Sequence, residues 1–204
     1  MSSSTRRWVL LALAAVAAAL AVVLVVRAFA SLPPETRPEG SYVRIAERIS
    51  SGAERGVFEL LDDRAKDACN RLFRARREAS NLVDGVYPEP ERARLLERWR
   101  PIASVESAAD AWDVLSSRRG WIATLRRDLS GVTRATIDGD TATIETARGA
   151  RYPFAKRADG TWGLALFTAD LTDEAWRAER DLEVIQAAAA DYARVPSPAG
   201  SASH

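Results

Sequence analysis

The feature that most limits what this chain can fold into is an unbroken apolar run over residues 8–26, made almost entirely of Ala, Val and Leu. As a helix rising about 1.5 Å per residue, the run measures about 28 Å. The hydrocarbon core of a bilayer is about 30 Å thick. Because the run has no polar face, it does not suit a helix at the surface of a small soluble core. It therefore predicts a single N-terminal transmembrane helix that binds the membrane.

The charges around the run predict its orientation. Arg6 and Arg7 precede it, so residues 1–7 are expected in the cytoplasm and the rest of the chain outside, in a single-pass protein of the inner (cytoplasmic) membrane. An alternative remains open, because Ala28-Phe29-Ala30 has the A-x-A form that signal peptidases accept. Cleavage after Ala30 would replace the anchor with a signal peptide. Both interpretations export the remaining residues.

Composition divides the remainder of the chain. Residues 27–40 include Pro33, Pro34 and Pro38 and predict an extended spacer. Residues 196–204 contain mostly Pro, Ser, Ala and Gly and predict a disordered tail. The residues between them, 41–195, are predicted to form one folded domain, which is long enough to bury a core of its own.

Charge and rare residues exclude several functions. The 29 basic and 28 acidic groups nearly cancel, which argues against nucleic acid as a partner. A single cysteine, Cys69, excludes an internal disulfide framework, and the single histidine is His204. Lysine occurs only at Lys66 and Lys156, which we interpret as the coding bias of a GC-rich bacterium. With no phosphate loop, metal-binding motif or nucleophile elbow in the sequence, we predict no catalytic residue, no metal and no cofactor.

Helical periodicity dominates the first part of the domain. Ser41 is predicted to cap a short helix, and Ser51-Gly-Ala-Glu54 has capping-box form and predicts the start of a long one. One apolar stripe follows the long helix at three- and four-residue spacing, through Phe58, Leu61, Ala65, Ala68, Cys69, Leu72, Phe73 and Ala79.

Two further helices and one segment that could be a helix or a strand are predicted before the β-meander begins. Residues 91–99 form one, which Pro101 should stop. Ser107 should cap the next, which ends at Gly120. Residues 121–129 fit either a helix or a strand. A last helix starts near Thr172, with a stripe of Ala175, Ala178, Leu182, Ile185, Ala189 and Tyr192 that we expect to pack inside the domain.

Between these helices the pattern changes to alternation with a period of two. The runs 132–137, 141–147, 151–156 and 162–168 are separated by glycine turns such as Asp138-Gly139, which predicts a four-stranded antiparallel meander. Pro153 should produce a bulge or an unpaired position in the third strand. The fold class is thus α+β, and one sheet face should be apolar, through Ala135, Ile137, Ala142, Ile144, Tyr152, Phe154, Trp162, Leu164 and Leu166.

The strand region resembles a known family. With its Asp138-Gly-Asp140-Thr-Ala-Thr, Tyr152-Pro-Phe and Asp159-Gly-Thr-Trp162 motifs, it is similar to the curved-sheet half of NTF2-like domains. The resemblance covers about 36 residues and implies several helices before the sheet. The family hosts enzymes, transport factors and secretion-system scaffolds, so the resemblance does not determine a function.

The residues leave two functional hypotheses. The first is a membrane-tethered, non-enzymatic interaction or scaffolding module outside the cytoplasm, with a protein partner in the envelope. The second is a small-ligand-binding protein, or an enzyme using carboxylate and tyrosine chemistry, with an NTF2-like cavity lined by Trp121, Tyr152, Phe154 and Trp162. Cys69 is interpreted as a buried apolar residue, and Asp62, Asp63 and Asp67 as part of a solvated, salt-bridged face.

Overall fold

The computed structural model describes residues 33–194, which contain helices, then an antiparallel sheet, then a long C-terminal helix, and the predicted α+β class is confirmed for this part. The predicted transmembrane segment, residues 8–26, and the predicted tail, residues 196–204, lie outside the described residues. No helix within 33–194 has both the length and the apolar character that crossing a bilayer requires. In chain order the elements are α1 Pro38–Ser50, a 3₁₀ helix Glu54–Leu60, α2 Asp63–Val86, α3 Glu91–Ala103, α4 Ala108–Arg118, α5 Trp121–Asp128, β1 Val132–Asp138, β2 Thr141–Thr146, β3 Arg151–Lys156, β4 Trp162–Leu164 and α6 Thr168–Arg194.

The long helix α2 begins at Asp63, so the prediction of a start at Ser51 was wrong. The 3₁₀ helix ends at Leu60, and Leu61 is extended and forms a parallel bridge with Leu164 of β4. The next residue, Asp62, caps α2 by accepting a hydrogen bond from the Ala65 amide at 2.9 Å. Pairing with the sheet edge thus interrupts a stripe that is otherwise continuous in sequence, and the stripe residues are still buried except for Phe73, which is half-buried.

Two other helix ends differ from prediction. Helix α1 starts at Pro38, inside the predicted spacer, and Ser41 is a buried residue within it rather than its cap. Helix α3 continues through Pro101 to Ala103. Pro101 lies in the last turn and has no N–H to donate to the Glu97 carbonyl, so the helix continues there with one backbone hydrogen bond fewer. Burial of Trp99 and Ile102 on either side of it keeps that turn in place.

Two further predicted helices agree with the structure. The Ser107 side chain accepts from the Asp110 amide and caps α4, and Gly120 follows the end of that helix with a φ of 70°. Residues 121–128 form helix α5, which decides between the two predicted alternatives.

The sheet has the predicted order β1-β2-β3-β4, with every neighbouring pair antiparallel. The apolar residues of β2, β3 and β4 are buried on one face, where α1 packs against them. Ile137 is 54% exposed because it lies on the edge strand β1 near its end. Leu166 is also exposed, since β4 ends at Leu164, before the predicted boundary.

Two details of the sheet correct the predictions. The first hairpin turns through Gly139 and Asp140, and of these two only Gly139 has a positive φ, of 58°. That combination fits a turn with glycine in its first central position. Pro153 pairs with Thr143 in unbroken register, and the irregularity lies between Val132 and Arg134 instead. No bulge forms at Pro153, and the predicted unpaired position is on its other side, where the β3–β4 ladder begins at Phe154 and gives Pro153 no paired residue in β4.

Helix α6 packs along α2, as the stripe predicts. It begins at Thr168, one turn before the predicted start at Thr172, and the Thr168 hydroxyl donates to Asp62 Oδ1 at 2.8 Å. Ala175 and Ala178 are fully buried, and small side chains there let the two helices approach closely. A second, smaller core forms where α2, α3 and α6 meet, built from Ala79, Val83, Tyr87, Trp99, Ile185 and Ala189.

Candidate functional site

The four aromatic residues predicted to line a cavity are distributed through the core. Trp121 stacks on Phe167 with ring centroids 4.8 Å apart, and both contact Trp112. Tyr152 lies against Tyr42, 5.4 Å between ring centroids. Phe154 and Trp162 are buried.

These residues do not converge on one chamber. Phe154 borders an open groove of about 620 Å³ between the sheet and the start of α6, and the Trp162 indole donates to the Thr36 carbonyl at 3.2 Å. Burial raises the pKa of the Tyr152 hydroxyl to about 12, so it stays protonated at neutral pH.

The acidic residues singled out in the sequence have structural roles. Asp62 is buried and accepts from the Ala65 amide and the Thr168 hydroxyl. Asp63 accepts from the Ala158 amide, and Asp67 pairs with Arg71 at 3.3 Å. Over residues 33–194, no three His, Cys, Asp or Glu side chains are grouped so that they could hold a metal ion.

Cys69 is fully buried on α2, and its thiol donates to the Ala108 carbonyl at 3.4 Å. Burial raises the pKa of this thiol from about 9 to about 12. The reactive species is the thiolate, so a thiol reagent at pH 8 should label the folded protein at least about a hundredfold more slowly than the protein unfolded in guanidinium.

The raised pKa of the Cys69 thiol also makes the stability of the folded protein depend on pH. The folded state favours the protonated thiol. The stability that this thiol contributes is therefore fully present below pH 9 and is lost as the pH rises toward 12. The Cys69→Ala variant should therefore lose less thermal stability than the parent protein over that range. For the labelling experiment, equal rates in the folded and unfolded protein would contradict the burial of Cys69.

Among the described residues, a charged cleft of about 440 Å³ is the first candidate for a ligand-binding site. Its walls come from the segment at Glu35, from α1, from the 3₁₀ helix, from the start of α2 and from the loop between β3 and β4. We call it the Arg157 cleft, and its charged lining residues are Glu35, Arg44, Glu47, Arg48, Glu59, Lys66, Arg157 and Asp159.

Arg157 lies at the inner wall of this cleft, and its side chain is only 7% exposed. Its Nη1 donates to the Glu59 carbonyl at 2.6 Å, and its Nε donates to the Thr161 hydroxyl at 2.8 Å. Nη2 faces Glu35 Oε2 at 3.6 Å, beyond a normal hydrogen bond. The protein thus holds the guanidinium rigidly while leaving one of its nitrogens incompletely bonded.

The outer face of α6 is a second candidate. Trp176 is 61% exposed and Val184 is 62% exposed, and a spacing of eight residues places them about two turns apart and about 80° apart around the helix axis. Charged residues of both signs surround them, including Asp173, Arg177 and Glu183. We call this surface the α6 outer face.

Comparison with known proteins finds no family model, no curated protein and no solved structure that matches this chain. The NTF2-like resemblance therefore stays a prediction.

Sequence reasoning missed both surfaces for different reasons. The α6 outer face had a local signal, because Trp176 follows Ala175 and falls off the apolar stripe of its helix. The Arg157 cleft had almost none, since Glu35, Lys66 and Arg157 are far apart in sequence and the fold alone brings them together.

Proposed function

We propose that this protein is a membrane-tethered interaction module that presents its domain outside the cytoplasm and binds a protein partner in the envelope. Residues 8–26 anchor it in the inner membrane with residues 1–7 in the cytoplasm, a topology that rests on the apolar run and on Arg6 and Arg7. The observation that supports the interaction role is the exposure of Trp176 on α6.

Exposure of this tryptophan contrasts with the rest of the domain. Trp99, Trp112 and Trp162 are all buried, so the core accommodates indole rings elsewhere. An exposed tryptophan and an exposed valine two turns away leave apolar area in water, and covering it with a partner is favourable by about 25 cal/mol per Å². Tryptophan is also among the residues that most often dominate binding energy at interfaces.

The chemistry of the face indicates the kind of partner. Two apolar anchors on one side of a helix suit an apolar groove in the partner, in which a helix lies lengthwise. The mixture of acidic and basic residues around the anchors favours a groove whose rim carries both signs of charge. The domain itself is proposed to be non-enzymatic.

Cysteine substitution at Trp176 tests topology and binding together. In spheroplasts, a membrane-impermeant maleimide should label the Trp176→Cys variant and leave the parent protein unlabelled, because its own Cys69 is buried. A maleimide with a photoreactive benzophenone at position 176, whose aromatic group takes the place of the lost indole, should then yield a discrete cross-linked complex. The same probe on an Ile137→Cys variant is the matched control, since Ile137 is an exposed apolar residue on the sheet.

If the α6 outer face is the binding surface, a substitution on that face must weaken the complex. Adding Val184→Asp should reduce the complex formed through position 176 by about tenfold or more, while the circular dichroism spectrum stays unchanged. Labelling only after the membrane is permeabilised would refute the topology. Equal cross-linking at 137 and 176 would refute the proposed binding face.

A further inference from the structure

We propose that the Arg157 cleft binds the oxyanion of a small carboxylate- or phosphate-bearing ligand, with Arg157 Nη2 and Lys66 Nζ as the donors. This inference is independent of the partner proposed for α6. It rests on the placement, burial and incomplete pairing of two cations that come from different elements of the fold.

Lys66 is the second donor. It lies in the first turns of α2, lines the cleft with Arg157, and its side chain is 24% exposed. Its Nζ is 3.7 Å from Glu59 Oε2, which is an ion pair but not a hydrogen bond. Both cations thus keep donor capacity for a ligand.

The carboxylates of the cleft are placed differently from these cations. Glu35 is bound to Arg44 at 2.5 Å, and Asp159 accepts hydrogen bonds from the amide and the hydroxyl of Thr161. Asp159 also forms a long ion pair with Arg157 Nε, at 3.9 Å, which leaves Nη2 free of it. The Glu59 side chain is mostly exposed to solvent. Because the inner wall carries Arg157 and the outer parts carry most of the carboxylates, the cleft favours an anionic group at its inner end, although its charges balance overall.

Glu35 indicates which group the inner wall accepts. Its carboxylate already lies 3.6 Å from Arg157 Nη2, so that position tolerates a planar oxyanion. The backbone holds Glu35 there, because the Trp162 amide donates to the Glu35 carbonyl at 3.0 Å. A ligand oxyanion that approached Nη2 to about 2.8 Å would form the charge-assisted bond that Glu35 does not reach. Glu35 is therefore an internal competitor for the same donor.

The test uses the full-length protein in detergent micelles. Inorganic phosphate and acetate are titrated separately, with chloride keeping the ionic strength constant, and the backbone amide signals of Asp159 and Thr161 are followed by nuclear magnetic resonance. We expect saturable shifts with at least one probe. Saturation by phosphate alone assigns a phosphate-bearing ligand, and saturation by acetate assigns a carboxylate-bearing one.

Three variants separate a built site from general charge attraction. Lys66→Gln should weaken binding by about tenfold, and Glu35→Gln should tighten it by about threefold or more, because one loses a donor and the other a competing charge. Lys156→Gln is the matched control, since Lys156 is exposed on β3 and does not line the cleft; it should leave the affinity unchanged. Shifts that do not saturate with either probe, or equal weakening by Lys66→Gln and Lys156→Gln, would overturn the proposal.

Discussion

Replacing Ile185 by aspartate should unfold the domain. Ile185 is 5% exposed and lies in the smaller core between α2, α3 and α6, beside Val83 and Trp99. A carboxylate there would lose its hydration among apolar side chains, and Arg76, which packs on Trp99, is already paired with Asp181, so the substitution costs several kcal/mol. The whole free energy of unfolding of a domain is about 5–15 kcal/mol. We expect a fall in melting temperature of about 10 °C or more, or no cooperative transition, by circular dichroism.

Val184→Asp is the matched control for this substitution. Val184 is the preceding residue on the same helix, but it lies on the α6 outer face and is 62% exposed. The same carboxylate placed there stays in water, so the melting temperature should change by less than about 2 °C. If Ile185→Asp melted like Val184→Asp, the stripe of α6 would not be the buried face.

Adding a single methyl group at Gly163 should have the second largest effect. A Cβ built on Gly163 would lie 2.5 Å from the Asp62 Cα and 2.6 Å from the Leu61 carbonyl oxygen. Both contacts are with backbone atoms, so no side chain can move aside. Gly163→Ala must therefore separate β4 from residues 61–62, where the Asp62 amide donates to the Leu164 carbonyl at 3.1 Å.

The expected loss for Gly163→Ala is about 2–4 kcal/mol, because overpacking is combined with disruption of the point where α2, β4 and α6 begin or end. Chemical denaturation of the purified protein measures it. Gly85→Ala, near the end of α2, is the control, since a Cβ there meets nothing within 4 Å. It should be neutral or stabilising by up to about 1 kcal/mol. A Gly163→Ala domain as stable as Gly85→Ala would contradict the close approach of β4 to Asp62.

Local pattern predicted most of the residues that are buried in each element. The stripe of α2 and most of the apolar sheet face are buried as predicted, because a period of 3.6 or 2.0 assigns residues to a face before any partner is known. The order of elements also followed from the sequence, since glycine turns and capping residues separate the periodic runs. The apolar run at residues 8–26 likewise predicts a membrane anchor from its length and composition alone.

Tertiary structure decided where the elements begin and what the surface presents. Ser51 and Asp62 both have cap-forming side chains, and the pairing of Leu61 with β4 selected Asp62. The Arg157 cleft assembles residues separated by up to about 120 positions, and no local pattern predicts such an encounter. Periodicity depends on neighbours within one element, whereas a helix start in competition with a sheet edge, or a cleft between elements, depends on contacts that exist only after the chain has folded.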